Sequence, residues 1–245
     1  MKVLAGQIKL ETKLFLRDKG DLFWALAFPV FFIVLFGLIY KGESWGGMPP
    51  INYLLPGIIT MAVMVTCLMN TATGVIGDRE KGMFRRLSLT PLKRQTLIGG
   101  QIASRYLVVL VQTIILVVIG TTAFGVTFEG NYLLFWVALT LGAFSFFSLG
   151  FALTTFIKSE KAAFPAAMAF FFVLLFLGGC LFPIDVMPEF IQPICKVLPS
   201  AHMNDALRIV AIEEGGFSEV WPEFLKMGGW LIALSFISVK FFRWE

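Results

Sequence analysis

Five long stretches of this sequence contain no ionised side chain: Leu22 to Tyr40, Ser44 to Gly77, Tyr106 to Phe128, Gly130 to Ile157 and Ala162 to Ile184. Apolar residues follow one another in them without the alternation of a half-buried strand. Each is also far longer than the roughly 10 residues that a spanning strand needs. A helix crosses the hydrocarbon core of a bilayer with about 20 apolar residues. The pattern therefore predicts spanning helices at about 22–40, 52–77, 106–128, 132–157 and 162–184. A sixth, at 224–242, is interrupted only by Lys226 and Lys240 near its two ends. Their long stems can carry the ammonium groups out to the headgroups.

Composition sharpens this picture. Of 245 residues 58% are hydrophobic and 15% charged, with a mean hydropathy of +0.83, whereas soluble domains carry roughly a quarter charged residues. The fold class is an all-α integral membrane protein. One His and three Cys argue against a metal cluster or a disulfide framework, which need several ligands or pairs at set spacings. Cys180 and Cys195 could meet on an oxidising side and pair, but buried free thiols are the commoner outcome. The first 21 residues are too charged to hold the apolar core of a cleavable signal peptide.

Charge placement sets the expected orientation, because Lys and Arg gather on the cytoplasmic side. Sixteen of the 20 basic residues fall in the tail before span one, in Asp78–Arg105, between spans four and five (Lys158, Lys161), and at or just past the far end of span six (Lys240, Arg243). These segments alternate with loops that hold only Lys41, Lys196, Arg208 and Lys226. Both termini are expected in the cytoplasm, which requires an even number of spans. Trp24, Tyr40, Tyr106 and Tyr132 stand where aromatic interface anchors belong.

Three segments are not spans. Residues 1–20 read as an amphipathic interfacial helix. Val3, Leu4, Ile8, Leu10, Leu14 and Phe15 fall on one half of the helical wheel; Lys2, Lys9, Lys13 and Arg17 fall on the other, and Gln7 and Glu11 interrupt the apolar half. The second segment runs Asp78-Arg79-Glu80-Lys81-Gly82-Met83-Phe84-Arg85-Arg86 and mixes apolar with basic residues. Thr90-Pro91 then resembles an N-cap followed by proline at the first helical position, launching a helix through Lys93 and Arg94 into span three. Such a segment is either a docking knob for a cytoplasmic partner or a basic loop drawn to lipid phosphates. The third segment, Gly178–Glu223, is punctuated by Pro183, Pro188, Pro193 and Pro199. Its pieces at 184–197 and 201–212 are too short to cross. They read either as re-entrant helices lidding a cavity, where protein or water satisfies the backbone, or as an external loop resting on headgroups.

Taken in order, these features resemble the type-2 ABC exporter permease family. The likeness rests on Asp78-Arg79-Glu80-Lys81-Gly82 followed by Leu87, Thr90-Pro91, Lys93 and Arg94; on Leu181-Phe182-Pro183 with Met187-Pro188; and on Leu198-Pro199 leading to Asp205, Leu207 and Arg208. The resemblance implies one transmembrane permease domain over 1–245, located in the plasma membrane. It further implies that Asp78 to Arg86 form a coupling helix seated in a separate cytoplasmic ABC ATPase, with the N-terminal helix as a second contact. Pro183, Pro188, Pro199, Asp205 and Arg208 would belong to the outer re-entrant segment. A second permease copy, identical or related, would complete the path, and ATP and Mg would sit on the ATPase. No cofactor is expected in this chain and no nucleic-acid partner.

What is missing points the same way. No Gly is followed by Lys, so the phosphate cradle Gly-x-x-x-x-Gly-Lys-Ser/Thr is absent. The Glu-Ala-Ala…Gly loop of ABC importer permeases is absent too, which favours export. A self-powered transporter or channel is the alternative. It would usually place ionisable groups inside spans, yet the first five offer neutral ones such as Asn70, Thr71, Gln112, Thr113, Ser145 and Thr154. A membrane enzyme would have to use His202 and Asp205 as an acid/base pair, with no evident nucleophile. The expected cargo is an amphipathic or hydrophobic solute. The 27 Phe, 6 Trp and 4 Tyr residues do not identify it, since most must face lipid.

Overall fold

A computed structural model describes residues 2–44, 49–83, 94–128, 130–157 and 159–241. Among the described residues every regular element is helical, and six helices are long and apolar enough to cross a membrane. A first helix, α1 (Lys2–Arg17), precedes them. The six are α2 (Lys19–Ile39), α3 (Pro50–Glu80), α4 (Arg94–Phe124), α5 (Tyr132–Phe156), α6 (Glu160–Leu177) and α9 (Phe217–Phe241). Between α6 and α9 lie the single turn α7 (Gln192–Cys195) and α8 (Pro199–Ala211).

Local chemistry accounts for most of the boundaries. Asp18 starts α2 by accepting from the amides of Gly20 at 2.9 Å and Asp21 at 3.1 Å. A π-helical turn at Phe23–Ala27 follows, in which the Phe28 amide reaches back five residues to the Phe23 carbonyl. Pro29 stands just beyond it; lacking an N–H and crowding the carbonyl four residues back, proline favours such a widened turn. Asn131 caps α5 through the Leu133 and Leu134 amides at 2.9 and 3.3 Å. Asn131→Ala should therefore lower stability by about 1 kcal/mol, readable as a small drop in melting temperature of the detergent-solubilised protein.

Two helices end earlier than the apolar pattern predicts. α4 stops at Phe124 rather than 128, where Gly125 takes φ +69°. α6 stops at Leu177 rather than 184, followed by Gly178 and by Gly179 at φ +68°. There the Leu174 carbonyl accepts both the Gly178 amide at 3.0 Å and the Ser200 hydroxyl of α8 at 2.9 Å, which ties the helix end to α8. α9 begins at Phe217, seven residues before the expected 224, and holds Pro222 inside the helix, in its second turn. As expected, α4 is continuous from Arg94 into the apolar stretch.

The second long helix is the axis of the bundle. In the most apolar window of α3, 94% of residues are buried, against 22% for α2 and for α9. It too carries a π-helical turn, at Val65–Met69. Hydrogen bonds tie the helices together where no water competes: Thr66 donates to Gln112 Oε1 at 3.0 Å, and Ser145 to the Met227 carbonyl at 3.0 Å. Ser148 and Ser235 meet at 2.9 Å between α5 and α9. Two of the neutral polar residues singled out above, Gln112 and Ser145, thus bridge helices.

The segment after α6 departs from its expected shape. The piece at 184–197 is not one helix: a 3-10 turn at Ile184–Val186 gives way to extended backbone at Met187 before Pro188, and helix resumes only for the single turn of α7. The piece expected at 201–212 is the helix α8, with Pro199 in its first turn. α8 is mostly buried and packs on α3, α5 and α9.

Candidate functional site

The Asp78–Met83 segment lies at the end of α3, on the same end of the bundle as α1. Gly82 closes the helix with φ +67°, a left-handed conformation that costs glycine little. Its amide donates to the Arg79 carbonyl at 3.0 Å. Phe84, Arg85, Arg86, Leu87, Thr90-Pro91 and Lys93 lie outside the described residues.

Asp78, Arg79, Glu80 and Lys81 each reach a neighbouring helix, Glu80 and Lys81 from exposed positions. Asp78 Oδ2 accepts from Gln101 Nε2 of α4 at 3.0 Å. One turn along α4, Arg105 is partly buried as a residue and its guanidinium is enclosed. It lies so close over Gly74 that a Cβ there would stand 2.5 Å from Nη2. Three carboxylates act on that charge through space, first Asp21 of α2, then Glu11 of α1 and Asp78 of α3. Burial pushes the Glu11 carboxyl up, and the Arg105 charge opposes it.

The neighbouring end of α5 and start of α6 receive the next three residues. Arg79 Nη1 donates to the Thr154 carbonyl at 3.0 Å, and Nη2 donates to the Ile157 carbonyl. The Glu80 carboxylate accepts the backbone N–H of Glu160. Lys81 Nζ meets Glu160 Oε1 at 2.9 Å, and that hydrogen bond holds the Lys81 ammonium above its ordinary value. The last pair is well exposed and contributes little. Met83 is left facing outward, at 37% exposure.

The first helix packs on α4 through one flank of its apolar half. Gln7, Ile8, Glu11, Thr12 and Phe15 face inward, with Thr12 and Ser104 hydroxyls 2.9 Å apart. Leu10 and Leu14 are each 51% exposed and Leu16 60%. Gln7 and Glu11, which interrupt the apolar half, thus face the bundle together with Ile8 and Phe15, and Glu11 there feels the Arg105 charge.

The opposite end carries the other predicted set. Pro183 precedes the 3-10 turn, Pro188 follows extended Met187, and Pro199 opens α8. Asp205 and Arg208 pair at 3.3 Å within α8, and the Arg208 guanidinium sits 3.9 Å from the centre of the Tyr53 ring. Burial raises the Asp205 carboxyl while Arg208 opposes it. His202 does not pair with Asp205: its Nδ1 lies 2.7 Å from Glu223 Oε2 of α9, and Glu223 also meets Lys226 at 2.6 Å. His202 therefore ties α8 to α9. All three cysteines are free and buried, and burial pushes the Cys180 thiol up to about 12.

Sequence reasoning missed Gln101, Gly74, Glu160 and Glu223, and it treated Arg105 only as one loop charge among seven. The available signal was weak. Arg105 is one residue short of a charge-free run, and Glu160 follows Ser159 where a helix begins. Among the described residues no group of three His, Cys, Asp or Glu is placed to hold a metal ion. An apolar groove of about 390 Å³ opens between α4, α5 and α9, lined by Ile102, Phe144, Phe147, Phe151, Ser148 and Ser235 among others.

Comparison with known proteins bears on this arrangement. The chain is 27% identical over 191 residues to ABC transporter G family member 20 of Dictyostelium discoideum, covering 77% of this chain and 26% of that protein. It is 22% identical over 169 residues to the probable multidrug ABC transporter permease YbhR of Escherichia coli, covering 69% and 46%. It is 24% identical over 245 residues to the putative transport permease YvfS of Bacillus subtilis, covering 99% and 98%. The chain thus spans about a quarter of the first of these relatives and about half of the second. Residues 7–212 match the family described as ABC-2 type transporter. With six long apolar helices and the match running from α1 through the end of α8, this multi-pass membrane chain belongs to the ABC-2 type transporter family.

Proposed function

We propose that the chain is the permease subunit of an ATP-binding-cassette exporter. It moves an amphipathic or hydrophobic solute out of the cytoplasm or inner leaflet of the plasma membrane, with both termini cytoplasmic. The energy comes from ATP, with Mg, hydrolysed on a separate ATPase subunit, and a second permease copy completes the path. Family membership over residues 7–212 is the observation that carries this reading. The word multidrug in the name of the relative YbhR supports an apolar cargo, as does the groove lined by Phe144, Phe147 and Phe151. The stretch after Gly82, opening with outward-facing Met83, is where the ATPase docks. Nucleotide then biases a two-state rearrangement of the bundle through that contact.

Native purification tests the proposal. An ABC ATPase should travel with the chain at equal stoichiometry, and its hydrolysis should depend on the permease in lipid. Purification of a monodisperse permease alone from native membranes, under conditions that preserve other ABC complexes, would contradict it.

A further inference from the structure

We propose that Arg79 and Glu80 are positioning residues rather than contacts to the ATPase. They lock the end of α3 to the α5–α6 turn by capping two helices of opposite polarity, so that a push on the segment after Gly82 moves α5 and α6 as one body. This rests on the exporter reading above, and in particular on the ATPase acting beyond Gly82.

The termini of α5 and α6 carry the case. Near the C-terminus of α5 the Thr154 hydroxyl donates to the Phe151 carbonyl and the Thr155 hydroxyl to Ala152, each at 2.7 Å, while the Ile157 amide donates to Leu153. The carbonyls of Thr154 and Ile157 go to the Arg79 guanidinium. A cation at a helix C-terminus also meets the negative end of the dipole. At the start of α6, Ser159 stands in the N-cap position but makes no side-chain cap hydrogen bond. The Glu80 carboxylate supplies that acceptor to the Glu160 amide, placing a negative charge at the positive end of the next dipole.

One arginine and one glutamate, adjacent in sequence, thus complete two helix ends about 75 to 80 positions away. Charge-assisted bonds of this kind are stronger and more directional than neutral ones. Directly after the clamp, Gly82 breaks the helix, separating the locked residues from the outward segment.

The test combines three measurements on the native complex and on Glu80→Ala, Glu80→Gln and Arg79→Ala. First, hydrogen exchange at the Glu160 amide in detergent should speed up about tenfold in E80A and stay close to the native rate in E80Q, whose amide oxygen still accepts. An unchanged rate in E80A overturns the clamp. Second, the ATPase that copurifies should be retained by all three variants; its loss from E80A makes Glu80 a partner contact and overturns the proposal. Third, spin labels at exposed positions 10 and 164 should report a distance change when vanadate traps ATP on the native complex. E80A and R79A should lose that change while still hydrolysing ATP, and E80Q should keep it. A full distance change in E80A, or none in the native complex, overturns transmission through the clamp. If no ATPase accompanies the native chain the exporter reading falls instead, and the amide measurement still decides whether the caps exist.

Discussion

Gly57→Leu should prevent the folded protein from accumulating, and Gly57→Ala should already lower its melting temperature. A Cβ at position 57 of α3 would stand 1.8 Å from the Cys180 carbonyl oxygen and 2.9 Å from its Cα. Those atoms are backbone, so no side chain can swing aside to relieve the overlap. Overpacking typically costs 1–3 kcal/mol where side chains can adjust; here the axis helix or the turn after α6 must move, so a loss above roughly 3 kcal/mol is expected for leucine. The alanine variant is the sharper test, because in an exposed helix the same change would gain about 1 kcal/mol. Gly228 and Gly229 of α9 serve as controls, since a Cβ at either meets nothing within 4 Å. Thermal unfolding in detergent should rank G57A below the native protein and G228A at or above it. A G57A protein as stable as native would mean that α3 and the turn at Cys180 do not touch.

Arg105→Met should be the second most damaging change, and its effect should depend on pH. The guanidinium offsets the charges of Asp21, Glu11 and Asp78, and removing one charge from a partly buried group of this kind costs up to about 3 kcal/mol. Glu11 already has a carboxyl raised above its ordinary 4.5 by burial, with Arg105 the main influence holding it down. A raised carboxyl favours the folded state most below 4.5 and loses that contribution as pH rises through its folded value. Without Arg105 the value climbs further and the loss deepens. The stability deficit of R105M relative to native should therefore be larger at about pH 8 than at about pH 5. Adding Glu11→Gln should recover part of it at the higher pH. A deficit identical at both pH values would show that Arg105 does not neutralise these carboxylates.

The two ends of the bundle differ in how far they could be read in advance. Asp78 to Gly82 stood out because it interrupts a charge-free pattern, yet its partners did not. The carbonyls of Thr154 and Ile157 have no signature, since every residue owns one. Glu160 gave only the faint sign of an acidic residue at a helix start. On the first helix, periodicity placed Leu10 and Leu14 on the favoured face correctly as an apolar flank. It could not say which part of that half meets α4, because a wheel weighs hydrophobicity and knows nothing of the neighbouring helix. At the far end, proximity along the chain suggested His202 with Asp205, while folding brought Glu223 of α9 to His202 at 2.7 Å.

Element type and number followed from the sequence alone, because hydrocarbon thickness demands long uncharged runs and backbone groups in lipid must be satisfied within a helix. The family likeness followed as well, from the order of short polar interruptions. Only the tertiary structure decided where α4 and α6 stop, which helix forms the axis, and that Arg79 and Glu80 reach across to α5 and α6. Those outcomes depend on left-handed glycines, on backbone approaching backbone, and on charge pairs between residues far apart in sequence. None of these leaves a periodic trace along the chain.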